Sequence, residues 1–238
     1  VTNLARLRKR LWALVPLSLM APIWAWIFGD VRHGLVLFNL WLVAFGVGVL
    51  VADYVGQAAR AQGKSAGHTL SALWAPIRRN HRRYGGMLVH LGIILMSLGI
   101  IGIEGLQQET QLTLSLGETV NLGAYTFKFE GLEYIEEGDG RLVTEALLAA
   151  LRDGKPIGAL YPQREIYPNM GLAITQPGLR SNLAVDLYAV LIDWQPISQD
   201  EATFRVFINP LVTWLWVGTA VLTLGAVVAI LPDALRRR

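Results

Sequence analysis

The chain has 238 residues, of which 53% are hydrophobic and 16% are charged, and its mean hydropathy is +0.41. A soluble globular protein carries about 25% charged residues, so this composition excludes that class and indicates an integral membrane protein. The net charge of +3 does not indicate a nucleic-acid ligand, because the basic residues flank apolar segments, where membrane topology requires positive charge.

Four apolar segments are long enough to cross a membrane as helices, since about 30 Å of hydrocarbon requires roughly 20 residues. They are Leu11–Phe28, Leu35–Ala52, Met87–Ile103 and Pro210–Leu231. The first contains Pro16 and Pro22 and precedes no small-residue cleavage pattern, so we interpret it as a retained helix rather than a signal peptide. The sequence therefore predicts a membrane α-helical protein with four transmembrane helices.

Basic residues gather on one side of these helices. Thirteen of the 21 Lys and Arg residues lie before the first span, between the second and third, or after the fourth. They are Arg6, Arg8, Lys9, Arg10, Arg60, Lys64, Arg78, Arg79, Arg82, Arg83, Arg236, Arg237 and Arg238. Between Gln107 and Arg205, fourteen acidic and seven basic residues give 7 − 14 = −7. The positive-inside rule predicts that both termini and the 57–85 loop are cytoplasmic and that the acidic segment lies outside.

The third span contains the residue that most suggests chemistry, His90. It lies about one turn inside the apolar zone, where an imidazole without a partner is costly. At 100° per residue, three glycines fall on the opposite side of the helix: Gly85, Gly92 and Gly99. This stripe predicts close packing against a neighbouring helix. Gly86 and Ser97 fall near His90, and these small residues leave room for something planar.

Residue chemistry alone leaves two interpretations of His90. In the first, it hydrogen-bonds a hydroxyl or carbonyl group of another helix and ligates nothing. In the second, it ligates haem iron. Arg83 lies about 10 Å away along the helix axis and on nearly the same azimuth, so it would lie beside a haem propionate. No second histidine lies inside a span, so a second ligand must come from another chain. We interpret His33, His68 and His81 as solvated surface residues.

The segment between the third and fourth spans predicts a small antiparallel β domain. Its strand-like stretches are Gln111–Leu116, Thr119–Leu122, Tyr125–Tyr134, Leu142–Arg152, Lys155–Tyr161 and Asp186–Trp194. Glu145–Leu151 has high helix propensity, but the Asp153-Gly154 hairpin signal favours a strand there. Tyr161–Arg180 is rich in proline, so we interpret it as an extended loop outside the sheet, and loops of that length are often functional. Without cysteine, this domain folds without disulfides.

The predicted organisation has three parts. Residues 1–105 form three transmembrane helices, residues 106–206 form the outer β domain, and residues 207–238 form the fourth helix with a basic cytoplasmic tail. The expected location is the inner (plasma) membrane, with the chain passing through it several times.

Several motifs occur in a characteristic order along the chain. They are Arg82–Gly92, Gly117–Phe127, Tyr161-Pro162, Tyr167-Pro168, Asp186–Tyr188, and Phe204–Val206 followed by Pro210 and Trp216. From about residue 35 to the end, sequence and topology resemble the C-terminal third of the CcmF family, the haem lyase component of cytochrome c maturation. The resemblance implies that His90 is one of two intramembrane axial ligands to a resident b-type haem.

The resemblance also implies partners. CcmF-like proteins carry, upstream, a tryptophan-rich outer segment, two outer histidines and the first intramembrane histidine, and this sequence contains none of them. We therefore expect a separately encoded or truncated C-terminal portion that works with an N-terminal CcmF-like chain, haem-delivery subunits, apocytochrome-handling subunits and apocytochrome c. The implied reaction is thioether formation between haem vinyl groups and Cys-x-x-Cys-His thiols.

Two other classes of function are open at this point. One is a haem-free scaffold that anchors the outer domain for assembly, and a reduced-minus-oxidised absorption spectrum of the purified complex distinguishes it from a haem-ligating subunit. The other is a transporter permease fragment, but the chain has no broken helix pair or internal repeat to favour it.

Overall fold

The structure is a computed structural model that describes residues 12–62, 81–138, 140–194 and 201–230. The chain divides into a helical unit, formed by residues up to Ile101 and from Trp214 onward, and a β unit, Gly102–Thr213. The predicted basic N-terminal flank, residues 63–80 of the predicted cytoplasmic loop and the basic C-terminal tail lie outside the described residues.

The described helices are α1 (Trp12–Phe28), α2 (Gly34–Gln62), α3 (His81–Leu106) and α4 (Thr213–Ile230). Among the described residues, three segments are long and apolar enough to cross a membrane: Gly34–Gly56, Arg82–Leu106 and Thr213–Ile230. These three correspond to the predicted second, third and fourth spans. The described part of α1 is shorter, so its crossing of the membrane, and with it the count of four, stays a prediction.

A turn at Leu19 interrupts α1, which continues as Met20–Phe28. Pro22 explains the interruption, because a proline ring clashes with the carbonyl group four residues earlier, here that of Ser18, and has no N–H to donate to it. The Ser18 hydroxyl donates a hydrogen bond to the carbonyl oxygen of Val15 at 2.8 Å.

The β unit is a sandwich of two antiparallel sheets. Its described strands are β1 (Gln108–Ser115), β2 (Thr119–Leu122), β3 (Tyr125–Glu136), β4 (Leu142–Arg152), β5 (Lys155–Leu160), β6 (Gln163–Tyr167), β7 (Leu172–Gln176), β8 (Gly178–Ser181), β9 (Val185–Trp194) and β10 (Glu201–Pro210). One sheet has the order β1-β10-β9-β8 and the other β2-β3-β4-β6-β7, with β5 also paired to β4. The antiparallel β domain is therefore confirmed.

The core of the β unit lies between the two sheets. Phe129 of β3 and Phe204 of β10 are both 0% exposed, and their ring centroids are 5.2 Å apart. Alternate residues of β10 point into this core: Ala202, Phe204, Val206 and Ile208. This period of two is the pattern of a strand with one buried face. The sequence analysis places residues up to 206 in the β domain but predicts no strand after Trp194, so β10 is an addition to the prediction.

The other strands were predicted more closely. β2 and β4 have the predicted bounds. β4 is a strand despite its helix-favouring residues, because Ala146, Leu148 and Ala150 are fully buried in the core, and this packing outweighs local propensity. Asp153 and Gly154 connect β4 to β5 with φ values of 50° and 76°, which are the positive values that a two-residue hairpin turn requires.

The prediction that Tyr161–Arg180 is a loop outside the sheets is wrong. The segment contains β6, β7 and most of β8. Proline cannot donate a ladder hydrogen bond, and the three prolines lie between strands: Pro162 before β6, Pro168 after β6, and Pro177 between β7 and β8. They mark the ends of short strands rather than the absence of strands.

Candidate functional site

His90 lies on α3 with its side chain exposed. Its Nδ1 atom is 2.7 Å from the carbonyl oxygen of Gly86, one turn earlier. Helical side chains lean towards the N-terminus of their helix, which brings the imidazole over that turn. A carbonyl oxygen only accepts hydrogen bonds, so Nδ1 carries the proton, and neutral His90 then has its lone pair on Nε2.

In this tautomer, the Nε2 atom of His90 carries a lone pair that is available to a metal or to a hydrogen-bond donor. Within the described ranges, it has no hydrogen-bond partner. A metal-bound histidine commonly donates its other ring N–H to a backbone carbonyl group, and His90 does so to Gly86. The partner of Nδ1 lies in the same helix, whereas the haem-free interpretation places it on another helix.

The donor set suits haem better than a bare metal ion. The described residues contain no group of three or more His, Cys, Asp or Glu side chains that could hold a metal ion. Haem iron takes four ligands from its own porphyrin, so one exposed imidazole on each of two chains completes its coordination. His90 therefore fits the group that the sequence motifs imply.

The helix that carries His90 is held by its opposite face. A Cβ atom added at Gly85 would lie 2.5 Å from the backbone nitrogen of Ala229 on α4, and one added at Gly92 would lie 2.6 Å from that of Leu222. From the other side, Gly218 and Gly225 of α4 approach α3 equally closely. The predicted close packing along the glycine stripe is thus confirmed, with α4 as the neighbouring helix.

Arg83 lies on α3 and forms an ion pair with α2. Its Nη2 atom is 2.8 and 2.9 Å from the two carboxylate oxygens of Asp53, and both side chains are about half exposed. Beside this pair, the rings of Tyr54 and Tyr84 meet edge to face at 6.2 Å. These contacts join α2 and α3 near the first turns of α3. The Nε and Nη1 atoms of Arg83 make no hydrogen bond to any described residue.

The sequence pattern did not indicate Asp53 as the partner of Arg83. A signal was available, because Asp53 is an acidic residue near the end of the apolar segment of α2 and Arg83 lies near the start of that of α3. If consecutive spans run in opposite directions, these positions lie at the same depth. Of the remaining histidines, His33 is exposed between α1 and α2. His68 lies outside the described residues, and the side chain of His81 is not described.

The β unit contains a buried acidic residue that sequence analysis also missed. The Glu165 side chain on β6 is 6% exposed. It accepts hydrogen bonds from Arg141 at 3.1 Å, from the Tyr167 hydroxyl at 2.9 Å and from the Gln176 amide. A buried carboxylate is tolerated when it is paired and hydrogen-bonded in this way. The cluster joins β6 and β7 to the start of β4 and is fully satisfied, so its role is structural.

Comparison with known proteins places the chain in a class. Residues 105–210 match the family model described as the CcmF C-terminal beta-sandwich. The chain is 33% identical over 151 residues to the cytochrome c-type biogenesis protein CcmF of Pseudomonas aeruginosa, covering 63% of this chain and 22% of that protein. It is 31% identical over 144 residues to the probable cytochrome c-type biogenesis protein NrfE of Escherichia coli, covering 60% and 25%. The described apolar helices and the β-sandwich are therefore similar to parts of proteins that are named for cytochrome c biogenesis.

A solved structure extends this match over most of the chain. The structure of the cytochrome c haem lyase CcmF superposes with a TM-score of 0.63 at 26% identity, covering 91% of this chain and 34% of that one. The chain is thus similar to the C-terminal portion of CcmF proteins, and its residues 105–210 match their C-terminal beta-sandwich. Its apolar helices and its relatives indicate an inner-membrane protein. The chain matches about a fifth to a third of the length of these relatives.

Proposed function

We propose that His90 is one axial ligand of a membrane-embedded b-type haem, and that a histidine of an N-terminal CcmF-like chain is the other. The observation that carries this proposal is the state of the imidazole. Its Nδ1 proton is held by the Gly86 carbonyl oxygen at 2.7 Å, and its Nε2 lone pair is exposed on a helix long enough to span a membrane. The similarity to the CcmF C-terminal beta-sandwich and to the cytochrome c haem lyase CcmF supports haem as the ligand.

The residues of this chain would hold the imidazole for that ligand in two ways. The Gly86 carbonyl oxygen selects the tautomer in which Nε2 carries the lone pair. The close packing of Gly85 and Gly92 against α4 fixes the rotation of α3 about its own axis and so the direction of His90. When bound, haem supplies a one-electron redox centre, which would keep the iron of the delivered haem reduced.

Arg83 is proposed as a contact for a haem propionate. Its ion pair with Asp53 uses only Nη2, and a guanidinium group has further donors in a planar arrangement. Asp53 would then hold Arg83 in place, while Nε and Nη1 face a carboxylate. The Arg83 side chain is 50% exposed, so such a second partner is sterically accessible.

The β unit is proposed as an outer platform for apocytochrome c or for the haem-delivery and apocytochrome-handling subunits. The proposed orientation has both chain termini in the cytoplasm and the β unit outside it, and the span order and the basic flanks of the sequence support this orientation. With its partners, the chain would form part of a lyase that joins haem vinyl groups to the thiols of a Cys-x-x-Cys-His motif. We do not assign catalytic residues of that reaction to this chain.

An absorption experiment tests the proposed ligand. The chain is purified together with its N-terminal partner, and reduced-minus-oxidised spectra are recorded for the parent and for His90→Ala. We expect the parent to show a b-type α-band and the variant to lose it at unchanged membrane abundance. Leu224→Ala is the control, because it removes an exposed side chain from α4. A parent complex without haem, or an unchanged band in His90→Ala, would favour the haem-free scaffold.

A further inference from the structure

Two adjacent glycines of α3 have opposite surroundings. A Cβ atom at Gly85 would meet the α4 backbone at 2.5 Å, so the absence of a side chain there is required by packing. A Cβ atom at Gly86 would meet no heavy atom of the described chain within 4 Å. Packing within this chain therefore explains Gly85 and does not explain Gly86.

Glycine at position 86 is unfavourable for the helix itself. Glycine is the poorest helix former after proline, and alanine would fit this position without any contact. The hydrogen bond to His90 also places no demand on the side chain, because its acceptor is the backbone carbonyl oxygen, which every amino acid provides. Something outside the described chain must therefore account for the missing side chain.

The position of Gly86 indicates which bound group requires the space that a side chain would fill. It lies one turn before His90 on the same face of α3, and the His90 ring is bonded to its carbonyl oxygen. A planar group bound at Nε2 extends well beyond the imidazole and approaches the helix surface around it. A side chain at position 86 would stand in that region, whereas a glycine leaves it open.

We infer that Gly86 keeps the surface of α3 beside His90 free of side-chain atoms so that the haem ring can lie against the helix. This inference rests on the proposed function of His90 and adds a second residue to that site. Gly86 then has two roles: its carbonyl oxygen orients the imidazole, and its missing side chain makes room for the haem ring.

The test compares three glycine-to-leucine variants in the complex purified with its N-terminal partner. They are Gly86→Leu at the proposed haem face, Gly85→Leu at the α4 contact and Gly34→Leu at an open position on α2, where a Cβ atom would also meet nothing within 4 Å. Two quantities are measured: the membrane abundance of the chain, and its haem content by pyridine haemochrome assay. Gly86→Ala and His90→Ala complete the set.

We expect Gly86→Leu to insert at the parental level and to lose about tenfold in haem per chain, because its haem affinity falls. Gly86→Ala should show a smaller loss or a shifted α-band. Gly34→Leu should match the parent in both quantities. Gly85→Leu should instead lower the abundance of the chain, since it cannot pack against α4.

Other results would overturn the inference. If Gly86→Leu keeps its full haem content while His90→Ala loses haem, Gly86 has no role at the haem and the ligand assignment stands. If Gly86→Leu lowers abundance as Gly85→Leu does, Gly86 is a packing residue. If His90→Ala retains its haem, the proposed function fails, and the role of Gly86 fails with it.

Discussion

The β unit and the helical unit bury their apolar residues in different ways. The β unit encloses its own core, in which Phe127, Phe129 and Phe204 are 0% exposed. In the helical unit, only 22% of the apolar window of α3 and 11% of that of α4 is buried. The first unit therefore covers its own apolar residues, while the second leaves most of the apolar windows of α3 and α4 uncovered by described residues. His90 lies on the exposed part of the second unit.

The largest expected effect is the presence or absence of reporter activity. It tests whether the β unit and the loop between α2 and α3 lie on opposite sides of the membrane. A reporter that is active only outside the cytoplasm should be active when fused after Glu137 and inactive when fused after Lys64, because the basic segments flank the spans on one side. Immunoblots of both fusions control for expression. The opposite pattern would show that the predicted orientation is wrong.

The next largest effect is expected in the core of the β unit. Phe129→Ala removes a fully buried ring whose centroid lies 5.2 Å from that of Phe204. It should destabilise the β unit by about 3–5 kcal/mol. The measurement is urea-induced unfolding of the full chain in detergent, followed by limited proteolysis. Leu183→Ala is the control, since Leu183 is 61% exposed and its loss should change stability by no more than about 0.5 kcal/mol. Equal effects of both variants would contradict a closed core.

A smaller loss is expected where the helical unit does pack against itself. In Gly92→Leu, the first added carbon would lie 2.6 Å from the α4 backbone, and overpacking of this kind costs about 1–3 kcal/mol. The thermal midpoint of the detergent-solubilised chain should fall, and Gly34→Leu should leave it unchanged. An unchanged midpoint in Gly92→Leu would mean that α3 and α4 do not meet along their glycines.

The smallest effect is expected at Arg83. Its ion pair with Asp53 is half exposed, so a double-mutant cycle with Arg83→Ala and Asp53→Ala should give a coupling of about 0.2–1 kcal/mol. If Arg83 also contacts a propionate, Arg83→Ala should retain the α-band and shift the haem midpoint potential, whereas Asp53→Ala should shift it less. Complete loss of the band in Arg83→Ala would contradict a secondary role.

The sequence was most informative where one signal dominates. The apolar segments predict α2, α3 and α4. Turn residues such as Asp153-Gly154 predict the strands on either side of them. The prediction for 161–180 is wrong because proline does not exclude neighbouring strands: it occurs between short ones. The prediction lacks β10, although the alternation of buried and exposed residues in 201–210 is that of a strand.

The candidate site was predictable in part, for a physical reason. Helical periodicity predicts that His90 and the glycine stripe lie on opposite faces of α3, because this arrangement depends on the residues of one helix alone. The partner of Arg83 could not be read in this way, since Asp53 is 30 positions away on another helix. The hydrogen bond from Nδ1 to Gly86 also depends on a rotamer of His90 that no sequence pattern specifies.

Imidazole rescue tests the central claim most directly. His90→Ala should remove the b-type α-band of the complex while leaving the chain in the membrane. Added imidazole should partly restore the band, because neutral imidazole supplies the same nitrogen that Nε2 presents. A band that survives His90→Ala unchanged, with no response to imidazole, would contradict the assignment of His90 as an axial ligand.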